Sequence, residues 1–158
     1  MQMKPRILVV DGYTEIARKE LVSGGATIAG KQYVRMLERI CPNVLCDIFF
    51  PSDSSGTIPS GLSLLDYDGV AWTGCSLTVF DDSPEVRRQI DFARKCFEFG
   101  LPGFGSCWAA QIAVVAAGGS CQENPNGREM GLARKILLTP EGRGHPMYTG
   151  KATVFDAF

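Results

Sequence analysis

Short apolar runs alternate with stretches of helical spacing along most of the chain. Arg6-Ile7-Leu8-Val9-Val10-Asp11-Gly12 is apolar through Val10 and then closes on an acid and a glycine. That is the pattern of a buried parallel strand ending at a functional edge. Between residues 31 and 40, Tyr33, Val34, Leu37 and Ile40 recur at spacings of three and four, which predicts one helical stripe stopped by Pro42. A second strand is expected over 45–50, and 51–61 is a loop by its Ser, Pro and Gly content. Gly69-Val70-Ala71-Trp72 reads as a third buried strand, opened by the turn residues before it and ended by Gly74. Ser83-Pro84-Glu85 then supplies a helix cap with proline at the first helical position, and Val86, Ile90, Ala93 and Phe97 keep one face apolar until Gly100. Residues 101–105 form a short strand running straight into Cys107 and an apolar helical stretch, 109–117, ended by Gly118-Gly119. Strand alternating with helix predicts an α/β layered domain with a parallel central sheet, whose ligands bind at the carboxyl ends of the strands.

After Gly119 the pattern changes to a polar turn over 122–128, then two expected strands, 133–139 and 151–155, separated by a loop rich in Pro and Gly. There are no repeats. The sequence stops at Phe158 within or just after a strand, with no covering helix, so the domain is expected to be incomplete at its C-terminus.

A length of 158 residues suits one domain with one sizeable core. Hydrophobic residues make up 45% and charged residues 21%, which excludes disordered and collagen-like chains. Sixteen Lys plus Arg against seventeen Asp plus Glu leave a net charge of -1, with no electrostatic footprint for nucleic acid or an anionic membrane surface. A small ligand is expected instead. The apolar run after Arg6 is too short for a signal peptide or a membrane span, and the expected location is the cytoplasm. The cysteines at 41, 46, 75, 96, 107 and 121 contain no C-x-x-C, so most are expected to be free thiols and several to be small core residues.

The chemistry concentrates in Gly103-Phe104-Gly105-Ser106-Cys107-Trp108-Ala109-Ala110-Gln111. Cys107 falls at a strand-to-helix turn flanked by small residues, where a tight backbone bend would project a nucleophile above the sheet and toward a pocket. A helix starting there stabilises a thiolate through its dipole and free N–H groups, and the Trp108 N–H can donate to an oxyanion. The bland alternative is a buried structural cysteine among small residues.

Gly105-x-Cys107-Trp108-x-x-Gln111 resembles the G-x-C-x-G-x-Q elbow of class I glutamine amidotransferases. Thr73-Gly74-Cys75-Ser76 lies where that family carries an S-G-G-P oxyanion loop, and Arg128-Glu129-Met130-Gly131 is similar to its E-x-G segment. The stretch 138–158 is similar to the strand region before its catalytic histidine. Among members, the pattern looks most like free-standing proteins similar to the amidotransferase domain of GMP synthase. The resemblance implies one flavodoxin-like α/β domain over 1–158, needing no cofactor or metal. It implies L-glutamine as substrate, Cys107 as the nucleophile that forms a γ-glutamyl thioester and releases ammonia, and a synthetase domain or subunit as acceptor. Trp108 and the loop at Gly74 and Cys75 would supply the oxyanion donors, Gln111 would help hold the substrate, and Glu129 would be buried near the elbow. Two departures are Ala109 for the family's glycine and Cys75-Ser76 for Gly-Pro. The family's histidine and glutamate come from an H-x-E-type motif beyond the point reached here. The resemblance therefore implies activity for a full-length form and an inactive 158-residue form. Two rivals share these features: a non-catalytic amidotransferase-like module, and a cysteine hydrolase of γ-glutamyl peptides.

Three other motifs have plainer readings. Gly25-Ala26-Thr27-Ile28-Ala29-Gly30-Lys31 matches the phosphate-loop pattern G-x-x-x-x-G-K, but Gln32 stands where Ser or Thr would bind Mg²⁺ and no strand leads directly into it. It is expected to be a mobile loop capping a helix near the pocket mouth. Asp81-Asp82 with Ser83-Pro84 is a turn and cap rather than a metal site. His145, the single histidine, is expected in an exposed glycine-rich turn.

Overall fold

The computed structural model describes residues 4–127 and 131–157. It divides into two compact units, residues 1–122 and 123–158.

The first unit is a four-stranded parallel sheet flanked by helices. Its strands are β1 (Arg6–Val10), β2 (Leu45–Phe49), β3 (Gly69–Trp72) and β4 (Gly103–Gly105), in spatial order β2-β1-β3-β4. The central pair is in register from Ile7 against Gly69 to Val10 against Trp72, so neighbouring strands end together at their carboxyl ends. Burial explains why apolar runs marked these strands. Leu8, Val9 and Val10 are fully enclosed, and all of β3 is buried. Flavodoxin-like α/β architecture is the fold.

Helices α1 (Glu15–Ser23), α2 (Ala29–Ile40), α3 (Pro84–Glu98) and α4 (Trp108–Ala116) fill the connections. Helix α1 lies within what the sequence presents as a mixed polar stretch. It buries none of its residues, so no apolar stripe announces it, and Thr14 starts it by accepting a hydrogen bond from the Ala17 N–H. Helix α3 begins as its sequence requires, with Ser83 capping Val86 and Pro84 in the first turn. Its buried face is rotated from the expected one: Val86, Gln89, Phe92, Ala93 and Cys96 are enclosed, while Phe97 is 49% exposed. Phe92 explains the rotation, since it stacks against both Phe49 and Trp72, at 4.5 and 5.7 Å between ring centroids.

The second unit holds β5 (Ala133–Leu137) and β6 (Val154–Ala157), paired antiparallel, with a short helix α5 (Pro140–Gly144) between them. The expected loop there thus contains a helical turn, capped by Thr139. All six cysteines are free, and Cys96 alone among them is fully buried. No helix among the described residues is long and apolar enough to cross a membrane.

Candidate functional site

The exits of the parallel strands carry the chemistry. Strand β4 ends at Gly105, and Cys107 sits between it and α4 with φ 56° and ψ -111°. A non-glycine residue at positive φ is costly and persists only where the surroundings over-determine it. The consequence is an exposed side chain on a sharp bend. Opposite Ala109, position 105 needs glycine, because a Cβ would overlap the Ala109 methyl and lie 3.2 Å from the Trp72 carbonyl. Ala109 thus fits where the elbow pattern has glycine because Gly105 makes room for it.

Helix α4 opens at Trp108, whose N–H belongs to the first turn and has no intrahelical acceptor. The loop leaving β3 approaches the same sulfur. A Cβ built on Gly74 would lie 3.5 Å from Cys107 Cβ and 3.9 Å from its Sγ, so the space beside Gly74 faces Cys107. Neither Gly74 nor Cys75 is at positive φ, and a side chain at 75 therefore costs the loop no backbone strain. Cys75 itself is half-buried, and its Sγ accepts from the Leu77 N–H at 3.4 Å. Burial pushes its thiol up to about 12, the Leu77 hydrogen bond opposing this and Cys107 adding to it.

The loop after β1 completes the floor. Asp11 is fully buried, its carboxylate accepting from the Gly30 N–H at 2.8 Å and the Tyr13 N–H at 3.0 Å. Burial raises its pKa above the usual carboxylate range, against those two hydrogen bonds. This also disposes of the phosphate-loop resemblance, since the start of α2 is already occupied by the chain's own carboxyl group. Tyr13 follows on the same loop; burial first, then the charges of Cys75, Asp11 and Cys107, raise its phenol. From α2, the Tyr33 hydroxyl meets Ser106 Oγ at 2.9 Å, which places this helix at the elbow.

Of the residues expected at the site, Cys107, Trp108, Gly74 and Cys75 are brought together. Gln111 is exposed on α4, in the first turn of the helix that follows Cys107. Glu129 lies outside the described residues. His145 is exposed and its Nδ1 accepts from the Met147 N–H at 3.2 Å. Asp82 pairs with Arg87 across the start of α3, and among the described residues no cluster of His, Cys, Asp and Glu could hold a metal ion. A cavity of about 290 Å³ lies beside β4, lined by Val70, Trp72, Ala93, Phe104 and Ala109 among others; Cys107 is not one of its lining residues.

Tyr13 and Gln89 went unremarked in the sequence, and Tyr33 and Ser106 read there only as part of a helical stripe and of the elbow, not as a contact between them. A readable signal existed for Gln89, a polar residue three positions after Val86 on the buried stripe of α3.

Comparison with known proteins bears on the fold. No family model matches the chain. It is 36% identical over 160 residues to gamma-glutamyl-L-1-hydroxyisopropylamide hydrolase of a Pseudomonas species, a match covering 98% of this chain and 53% of the relative. The chain thus spans about half the length of that enzyme. A glutamine amidotransferase from Thermotoga maritima superposes with a TM-score of 0.70 at 16% identity, over 99% of this chain and 60% of the other. A second, from Methylobacillus flagellatus, gives 0.62 at 17% identity, over 99% and 55%.

Proposed function

The chain has the fold of the glutamine amidotransferases, and on that premise we propose that it cleaves γ-glutamyl amides with Cys107 as nucleophile. The observation that carries this reading is the backbone of Cys107, held at φ 56° on the bend between β4 and α4 with the Gly74 backbone beside its sulfur. A thiolate at Cys107 attacks the side-chain carboxamide carbon of the substrate, forming a C–S bond and an oxyanion. Trp108 and the Gly74–Cys75 loop donate backbone N–H groups to that oxygen, where charge develops in the transition state. The C–N bond then breaks, the amine leaves with the proton that the Cys107 thiol gave up on ionising, and water hydrolyses the γ-glutamyl thioester to glutamate, its proton restoring the free thiol. Gln111, exposed on α4, contacts the glutamyl part. No proton-transfer role is assigned to His145.

The substrate class follows from the leaving amine. With glutamine the amine is ammonia, which would pass to an acceptor held by a synthetase domain or subunit. With an N-substituted amide the amine is itself a product and no acceptor is needed. The relative's name describes an amide of the second kind, and its 36% identity favours the hydrolase reading over ammonia transfer.

The test compares the full-length protein with its Cys107→Ala variant, the 158-residue form being expected to turn over little or nothing. Amine release from a γ-glutamyl alkylamide and ammonia release from glutamine are measured, together with covalent capture by a glutamine-analogue electrophile followed by mass spectrometry. Capture at Cys107, absent from the variant, is the expected result. A full-length protein whose Cys107 reacts with iodoacetamide but not with the analogue, and which turns over neither amide, is a non-catalytic module.

A further inference from the structure

Helix α3 places one polar side chain in the middle of its buried stripe. Gln89 is 0% exposed among Val86, Phe92, Ala93 and Cys96. A buried carboxamide is costly unless its acceptor and donors are all engaged. Here they are engaged by three different strand exits. The Trp108 indole Nε1–H donates to Gln89 Oε1 at 2.8 Å, and Gln89 Nε2 donates to the Gly12 carbonyl at 3.0 Å and to Ser52 Oγ at 2.8 Å. Ser52 Oγ in turn donates to the Gly12 carbonyl at 3.1 Å, and the Arg88 guanidinium donates to the Ser52 carbonyl. The Gly12 N–H donates to Thr73 Oγ1 at 3.0 Å, which joins the exit of β3 to the same set.

We propose that Gln89 is a positioning residue, whose carboxamide fixes the Trp108 indole against Gly12 and so holds the Trp108 N–H in register with Cys107. This rests on the reading of Cys107 as the nucleophile and adds the element that fixes its geometry. The indole has little freedom of its own: a Cβ on Gly12 would lie 2.9 Å from Trp108 Cδ1, so the ring fills the space a side chain at 12 would need. Trp108 shares a peptide bond with Cys107, and the strained Cys107 conformation needs support from outside its own loop. A hydrophobic side chain at 89 would fill the same space and give up the connection. That contrast separates positioning from packing.

The experiment follows capture of Cys107 by the glutamine-analogue electrophile over a range of concentrations in wild type, Gln89→Met, Trp108→Phe and the double variant. Iodoacetamide reports the intrinsic reactivity of the thiol, and thermal unfolding reports the fold. A positioning role predicts that the maximal capture rate in Gln89→Met falls by on the order of 10-fold to 100-fold, the scale expected for ångström-level misplacement, with little change in the half-saturating concentration. Iodoacetamide labelling should stay within about twofold in the same variant, because it needs no oxyanion donor. Trp108→Phe should show the same split, and the double variant should be no slower than the slower single variant, because the two residues act as one unit. Wild-type capture kinetics in Gln89→Met, or losses that multiply in the double variant, would overturn the proposal. Should Gln89→Met fail to fold, Trp108→Phe decides alone, since it removes the indole N–H and leaves α3 intact. Wild type that reacts with iodoacetamide but not with the analogue overturns the nucleophile reading itself, a different outcome from a Gln89 variant that matches a reactive wild type.

Discussion

Two neighbouring strands, β3 and β4, each release a cysteine into the loop at their carboxyl ends, and the two thiols are treated differently. Cys75 leaves β3 in unstrained backbone, half-buried, its sulfur accepting a hydrogen bond and its pKa pushed up to about 12 by burial. Cys107 leaves β4 at positive φ and is exposed. Residue type is therefore a poor guide to which sulfur reacts. Burial keeps Cys75 a neutral wall, and a neutral wall beside Cys107 adds no like charge to oppose a thiolate there.

The largest effect that could break this contrast is at Cys107. Cys107→Ala should abolish capture by the glutamine analogue and any amide turnover, whereas Cys75→Ala should retain both; equal losses in the two variants would erase the distinction. Next is the bend that supports Cys107. Gly105→Ala forces a methyl against Ala109 and the Trp72 carbonyl, and overpacking of this kind costs about 1–3 kcal/mol, read as a lowered melting temperature. Adding Ala109→Gly should recover part of that loss and most of the capture rate. At the other loop, Gly74→Ala meets Cys107 only at ordinary contact distance. Its stability should stay within about 1 kcal/mol of wild type, while the capture rate falls by roughly tenfold as the added methyl crowds the sulfur. The smallest effect concerns pH. With Cys75 at about 12 and Cys96 at about 11, both remain protonated from pH 7 to 9, so mild alkylation of folded protein should leave these two unlabelled while Cys107 is modified. Mass spectrometry of peptides before and after denaturation checks this, and modification of Cys75 in the folded protein would put the two thiols on one footing.

Much of this architecture is legible in the sequence, for a local reason. Strands β1 and β3 are buried throughout or nearly so, and such strands must be written as uninterrupted apolar runs. The cap Ser83-Pro84 is equally local. Helix α1 is not legible because Ile16 points outward, 72% exposed, and no stripe exists to be read. Helix α5 has two glycines within five residues and reads as a turn. The same division runs through the site. Cys107 is flanked in sequence by the small residues that bend its backbone, so the elbow can be recognised from nine consecutive letters. Its supports come from far along the chain: Tyr33 reaches Ser106 across 73 positions, and Gln89 reaches Gly12 across 77. No periodicity links such residues, and only the fold brings them together.

The crowding between positions 105 and 109 makes them a single steric locus. Two methyls cannot share that space, and one at 105 also presses on Trp72, so mutational drift through this loop is steered toward compensated pairs. An alanine acquired at 105 would survive only in a background where 109 had already lost its own, and the order of such changes, rather than their identity, would decide which lineages keep a working bend.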